Sequence, residues 1–172
     1  MTEEARKKRN TSALAECNPW VGERMARVLD RMEGRGFRPR IQCAARSGAA
    51  QLLARTLGKS GVTWSLHQAR TTEGKPDSLA CDVIDDNEPL RPSGRYVLAL
   101  AVESRAEGLE TGIRWGHETA GKERVEAAIE RFRLTGDVGF ALAPDGKGWD
   151  PCHVQVPRAV LSVADAKGGK RP

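Results

Sequence analysis

The sequence predicts an α+β domain with a small, mostly antiparallel sheet and flanking helices. Apolar residues recur at helical spacing in some segments and alternate at strand spacing in others. The two kinds of segment are interleaved without the strand–helix–strand rhythm of a parallel sheet. A chain of 172 residues with 39 % apolar content is long enough to bury one core.

Residues 1–12 are charged and lack an apolar period, and residues 166–172 are rich in Gly and Lys. Both ends read as disordered tails around one domain over 13–165. Pro19 suits a first helical turn; Val21, Met25, Val28, Leu29 and Met32 follow at helical spacing until Gly34 and Gly36 stop it. Residues 37–45 read as a strand with Ile41, Cys43 and Ala45 on one side, Gln42 and Arg46 on the other. A short helix over 48–57 closes at Gly58, and residues 61–76 read as loop. In the next strand, 79–84, Cys81 and Val83 share one face while Ala80 and Asp82 share the other. Residues 96–106 favour helix through Val97, Leu98, Ala101 and Val102. Residues 121–134 form a clearer helix on Val125, Ala128, Ile129 and Phe132, and residues 138–142 suit a strand. In the last strand Cys152, Val154 and Val156 alternate with His153 and Gln155.

Composition narrows the function classes. Aromatics make up 5 % and charged residues 30 %, with no apolar run approaching the ~20 residues of a membrane span. Residues 1–10 lack the apolar stretch of a signal peptide, which implies synthesis in the cytoplasm. Four cysteines without a CxxC pair read as reduced, mostly buried thiols. The net charge of +5 is concentrated in Arg6-Lys7-Lys8-Arg9 and residues 167–171. Such a balance suits an anionic polymer, either cell wall or nucleic acid, but no nucleic-acid recognition motif accompanies it.

The chemistry gathers in two clusters. One is Ser65-Leu66-His67 followed, fifteen residues after the histidine, by Asp82; the other is Trp149-Asp150-Pro151-Cys152-His153. An aspartate in a strand is disfavoured by propensity and invites a reason. His67, Asp82 and His153 supply three N/O ligands for a zinc ion with an open position for water, and Asp150 is a spare base. Read separately, His67 is a loop histidine, Asp82 an edge-strand carboxylate and Asp150 a turn residue bonding its own backbone. Cys81 and Cys152 neighbour two of these residues, but strand alternation sends them into the core beneath. Trp64, Trp115 and Trp149 flank the clusters, either as walls for a ligand or as core filler.

The run Ser65-x-His67, Lys75-Pro76-Asp77-Ser78-Leu79-Ala80-x-Asp82 and Trp149-Asp150-Pro151-x-His153-Val154-Gln155 resembles the peptidase M15 family. These are zinc D,D-carboxypeptidases and endolysin-like L-alanyl-D-glutamate endopeptidases that cut peptidoglycan stem peptides. Ala45-Arg46-Ser47 with Gln51 and the stretch 98–109 followed by Trp115-Gly116 fall in the family's order, so the likeness covers about residues 20–157. It implies a Hedgehog/D,D-peptidase-like fold and one Zn²⁺ held by His67, Asp82 and His153. Asp150 then matches the catalytic acid/base, Arg46 the residue that contacts the substrate carboxylate or carbonyl, and Ser65 a hydrogen-bonding residue at the site edge. Asp150 in Asp-x-x-His is closer to the endopeptidases than to the Glu-x-x-His carboxypeptidases.

Two features depart from that pattern. The histidine–aspartate gap is longer than in most members, and the extra segment carries Glu73 and Asp77 as alternative carboxylates, although the Ala-x-Asp context favours Asp82. His117 stands where the family has a second glycine, and reads as a surface-loop residue. The expected protein is a monomeric zinc hydrolase acting on the cell wall after holin-dependent release. A non-catalytic wall-binding or structural zinc domain of the same fold is the alternative.

Overall fold

The computed structural model describes residues 1–138 and 150–172. Its centre is one antiparallel sheet of β1 (Pro39–Cys43), β2 (Ala80–Asp85), β3 (Glu110–Gly112) and β4 (Asp150–Gln155), in the order β1-β2-β4-β3. Six helices accompany it among the described residues: α1 (Glu3–Leu14), α2 (Pro19–Gly34), α3 (Gly48–Thr56), α4 (Gly94–Ala106), α5 (Thr119–Thr135) and α6 (Val163–Lys167). The chain is therefore α+β with an antiparallel sheet. No helix among the described residues is long and apolar enough to cross a membrane.

The core follows the apolar periods. Asn18 caps α2 by accepting from Trp20 N at 3.0 Å, Pro19 opens the helix, and the stripe Val21, Met25, Val28, Leu29 and Met32 is buried. α4 is buried along Tyr96–Ser104 because it lies between α2 and α5 and also packs on β3 and β4. α5 adds Val125, Ala128, Ile129 and Phe132, and ends where Gly136 adopts φ 71° and its N–H bonds Phe132 O. From the sheet, Ile41, Cys81, Val83 and Val154 complete this layer.

The ends differ from the tails the sequence suggests. Residues 3–14 form α1, whose polar side chains dock it along β1. Arg6, only 1 % exposed, donates to Pro39 O at 2.6 Å and pairs with Glu33 at 2.7 Å. Asn10 donates to Pro39 O and accepts from Ile41 N, while Arg9 donates to Ile41 O and Gln42 O. These bonds occupy the free edge of β1, which would otherwise offer unpaired backbone groups to another strand. Composition alone misses this docking because the contact is made by charge and amide groups rather than an apolar stripe. At the other end Arg171 binds Asp77 and Arg70 O, so the last residues are also anchored. The strand expected over 138–142 lies, apart from Val138, outside the described residues, as does Trp149.

Candidate metal centre

Strand register builds the centre. Asp82 on β2 stands opposite His153 on β4 and opposite Cys43 on β1. In the next row Gln155 on β4 stands between Ala80 on β2 and Glu110 on β3. Residues directly opposite share a face, so Cys43, Asp82, His153, Gln155 and Glu110 gather on the side away from the core. Alternation sends Cys81 the other way: it is fully buried, with its Sγ 3.4 Å from that of Cys17. Cys152 is half-buried and packs against the core.

Cys43 corrects the sequence-based strand. It was expected beside Ile41, but Ile41 pairs with Val83 and Cys43 with Asp82, so Gln42 is an extra bulged residue. One added residue reverses the facing, and Cys43 turns to the centre. No local sequence signal marks that bulge.

His67 arrives on a 3₁₀ turn, Leu66–Gln68. Ser65 accepts from His67 N at 3.3 Å, and Ser65 N donates to Gln68 Oε1 at 3.0 Å, a reciprocal cap that shapes the turn. Leu79 N to Leu66 O and Arg46 N to His67 O tie the turn to its neighbours at 3.1 and 2.8 Å. Ser65 thus borders the cleft while its hydroxyl serves this cap.

The long gap between His67 and Asp82 folds outward. Arg70 bridges Pro76, Thr71 N donates to Lys75 O at 2.9 Å, and Asp77 N returns to Ala69 O at 3.1 Å. The excursion leaves and re-enters at one place, so His67 still meets Asp82. Glu73 is exposed and bonded to Thr72, whereas Asp77 is engaged by Asn18 and Arg171. Neither stands at the centre.

Three ligand-type atoms converge. Asp82 Oδ1 lies 3.2 Å from His67 Nε2 and 3.0 Å from His153 Nδ1, and the two ring nitrogens are 3.3 Å apart. Donors bound at zinc–nitrogen and zinc–oxygen distances to one tetrahedral ion are separated by ~3.3 Å. The outer ring nitrogens are already committed: His67 Nδ1 donates to Ala44 O at 2.6 Å, and His153 Nε2 to Gln155 Oε1 at 3.0 Å. In the neutral rings both lone pairs therefore point inward, towards the carboxylate. This donor set fits Zn²⁺.

The charges around it are strongly coupled. Burial opposes protonation of His67, yet the Asp82 carboxylate beside it pushes its pKa up to about 10. Burial likewise opposes ionisation of Asp82, but His67 and His153 hold it far below the usual carboxylate range. Asp150 Oδ2 is 3.9 Å from His153 Nδ1, and its side chain remains 41 % exposed to the cleft. Burial, then the Asp82 carboxylate, raise its pKa above the ordinary value. Arg46 donates to Asp82 Oδ2 at 3.0 Å and to Gln51 Oε1 at 2.9 Å. Gln51 is the single buried side chain of α3, and it also donates to Ser60 Oγ and Val62 O. This short helix thereby positions the arginine.

The centre lies in an open cleft of about 1500 Å³ lined by His67, Asp82, Asp150, His153, Arg46 and Trp115, among others. The Trp115 ring tilts against His153 at 5.0 Å between centroids, and the Arg158 guanidinium lies over the Trp115 ring, 5.7 Å from its centroid. Trp64 is half-buried and also borders the cleft. His117 packs beside Gly121 at the start of α5 and is not part of the lining. Sequence reasoning missed Glu110 and Cys43 as neighbours of the centre: β3 is too short to show alternation, and the β1 bulge is silent. No protein-family model matches the chain, and no curated protein matches it.

Proposed function

We propose that this protein is a single-zinc peptidase, similar to the M15 family and its Hedgehog/D,D-peptidase-like fold, that hydrolyses an amide bond in peptidoglycan stem peptides. The observation that carries this reading is the meeting of His67 Nε2, Asp82 Oδ1 and His153 Nδ1 within 3.0–3.3 Å on the floor of an open cleft. A purely structural zinc site is closed by four protein ligands, whereas here the neighbouring carboxylate, Asp150, is half-buried at the cleft and lies 3.9 Å from His153 Nδ1, farther than the three ligand atoms lie from one another. When bound, a zinc ion would polarise the scissile carbonyl and bring a water towards ionisation at neutral pH.

The remaining work falls to the chain's own side chains. Asp150 accepts the proton of the attacking water and returns it to the departing amine, a role helped by its raised pKa. Arg46, fixed by Asp82 and Gln51, directs a planar cation at an anionic group of the peptide. The Trp115–Arg158 wall encloses the side of the cleft next to His153. Among the activities of that family, Asp-x-x-His supports the L-alanyl-D-glutamate endopeptidase over the D,D-carboxypeptidase, an activity that would be exercised on the cell wall.

Zinc-loaded protein incubated with purified peptidoglycan tests this directly. Mass analysis should show stem-peptide fragments, and Asp150→Ala should lose hydrolysis about 10²–10⁴-fold while retaining zinc. Unchanged hydrolysis in that variant removes Asp150 from the mechanism. Absence of any fragments from the zinc-loaded wild type overturns the reading itself.

A further inference from the structure

We infer that Glu110 and Gln155 form a positioning relay that sets the tautomer and ring orientation of His153 for the metal; the inference rests on the zinc reading of the same centre. The relay runs outward from the ligand. His153 Nε2–H donates to Gln155 Oε1 at 3.0 Å, and Gln155 Nε2 donates to Glu110 Oε1 at 2.6 Å. The acceptor end of the amide therefore faces the imidazole, and its donor end faces a carboxylate. That polarity leaves Nδ1 as the unprotonated nitrogen of the neutral ring, and Nδ1 is the atom 3.0 Å from Asp82 Oδ1.

Register explains why these two residues are available. Gln155 lies two positions beyond His153 on β4 and so emerges on the same face, and Glu110 is its cross-strand partner on β3. Gln155 is 4 % exposed and could not leave its amide unpaired there without cost. A free amide can present either end to a histidine; only the Glu110 carboxylate, which accepts and cannot donate, fixes which end Gln155 presents. β3 is a three-residue strand, and supplying Glu110 gives it a purpose in the centre.

The two histidines are thus oriented by different means. His67 uses a backbone carbonyl, Ala44 O, which no substitution at that position removes. His153 uses a side-chain relay that substitution can take apart. Outer partners of metal-bound histidines typically contribute a factor of about 10–100 in metal affinity.

Zinc affinity, measured by competition with a chromogenic chelator, tests the relay without reference to peptidase activity, and the melting temperature of each metal-free protein reports folding. Gln155→Leu should weaken zinc binding about 10–100-fold. Glu110→Gln, which preserves shape, should weaken it several-fold with unchanged metal-free melting. The exchange Glu110→Gln with Gln155→Glu puts a carboxylate directly on His153 Nε2 and should restore affinity towards wild type, whereas Gln155→Glu alone sets two carboxylates together and should not. Wild-type-like affinity in both Gln155→Leu and Glu110→Gln overturns the relay and leaves the zinc reading standing. A wild type that binds no zinc overturns both.

Discussion

At Asp82 Oδ1 two imidazole nitrogens meet one carboxylate oxygen, and that crowding governs how the metal-free protein responds to pH. His67 has its pKa pushed from 6.5 to about 10, so its protonated form contributes stability fully below about pH 6.5 and loses it as pH rises towards 10. The unfolding free energy of metal-free protein, from denaturant titrations, should fall across that window by on the order of a few kcal/mol. Zinc should abolish the trend, because the cation replaces the proton. A flat profile in the metal-free protein would contradict the His67–Asp82 coupling. Cys43 gives a second test at this scale. Burial opposes its ionisation, but the hydrogen bond and charge of His67 lower its pKa overall, whereas the Cys17 contact and burial raise that of Cys81. In metal-free protein iodoacetamide should label Cys43 well before Cys81, as peptide mapping will show. The sequence marks Asp82 and His153 as polar residues that alternate with apolar ones in strands, whereas His67 and Asp150 stand out only through the family pattern they resemble. It cannot expose Cys43, whose facing depends on a bulge, nor Glu110, whose meaning depends on what lies across the sheet.

Elements act by bringing these residues into register. β3 can approach β4 only because Gly112 has no side chain: a Cβ there would lie 2.0 Å from Asp150 O and 3.0 Å from the Trp115 ring. Gly112→Ala should therefore displace Asp150 and remove most hydrolysis, with a stability loss of roughly 1–3 kcal/mol; urea unfolding and peptidoglycan assays would separate the two effects. α1 matters differently. Arg6→Ala removes hydrogen bonds to Pro39 O, Glu3 and Glu33 from a buried position and should cost about 2–4 kcal/mol. It should also increase self-association by baring the edge of β1, which light scattering can follow. The apolar periods of α2 and α5 are plain in the sequence, as is the alternation of β2 and β4. Those of α1 and β3 are not, because one docks through polar groups and the other is only three residues long.

For the molecule as a whole, the core and the centre occupy opposite faces of one sheet. The apolar layer of α2, α4 and α5 is complete without the centre, so chelation should remove zinc and hydrolysis yet leave the far-UV circular dichroism unchanged; unfolding on chelation would instead make the metal structural. The sequence by itself determined the fold class, the helices with an apolar stripe and the residue types suited to a hydrolytic zinc centre, because periodicity and side-chain chemistry are local properties. Only the tertiary structure decided that atoms on the Leu66–Gln68 turn, β2 and β4 meet within 3.0–3.3 Å, that Glu73 and Asp77 stay out, and that Glu110 supports His153 through Gln155. Those relations follow from strand register and loop closure, and both are fixed by contacts between segments far apart in the chain.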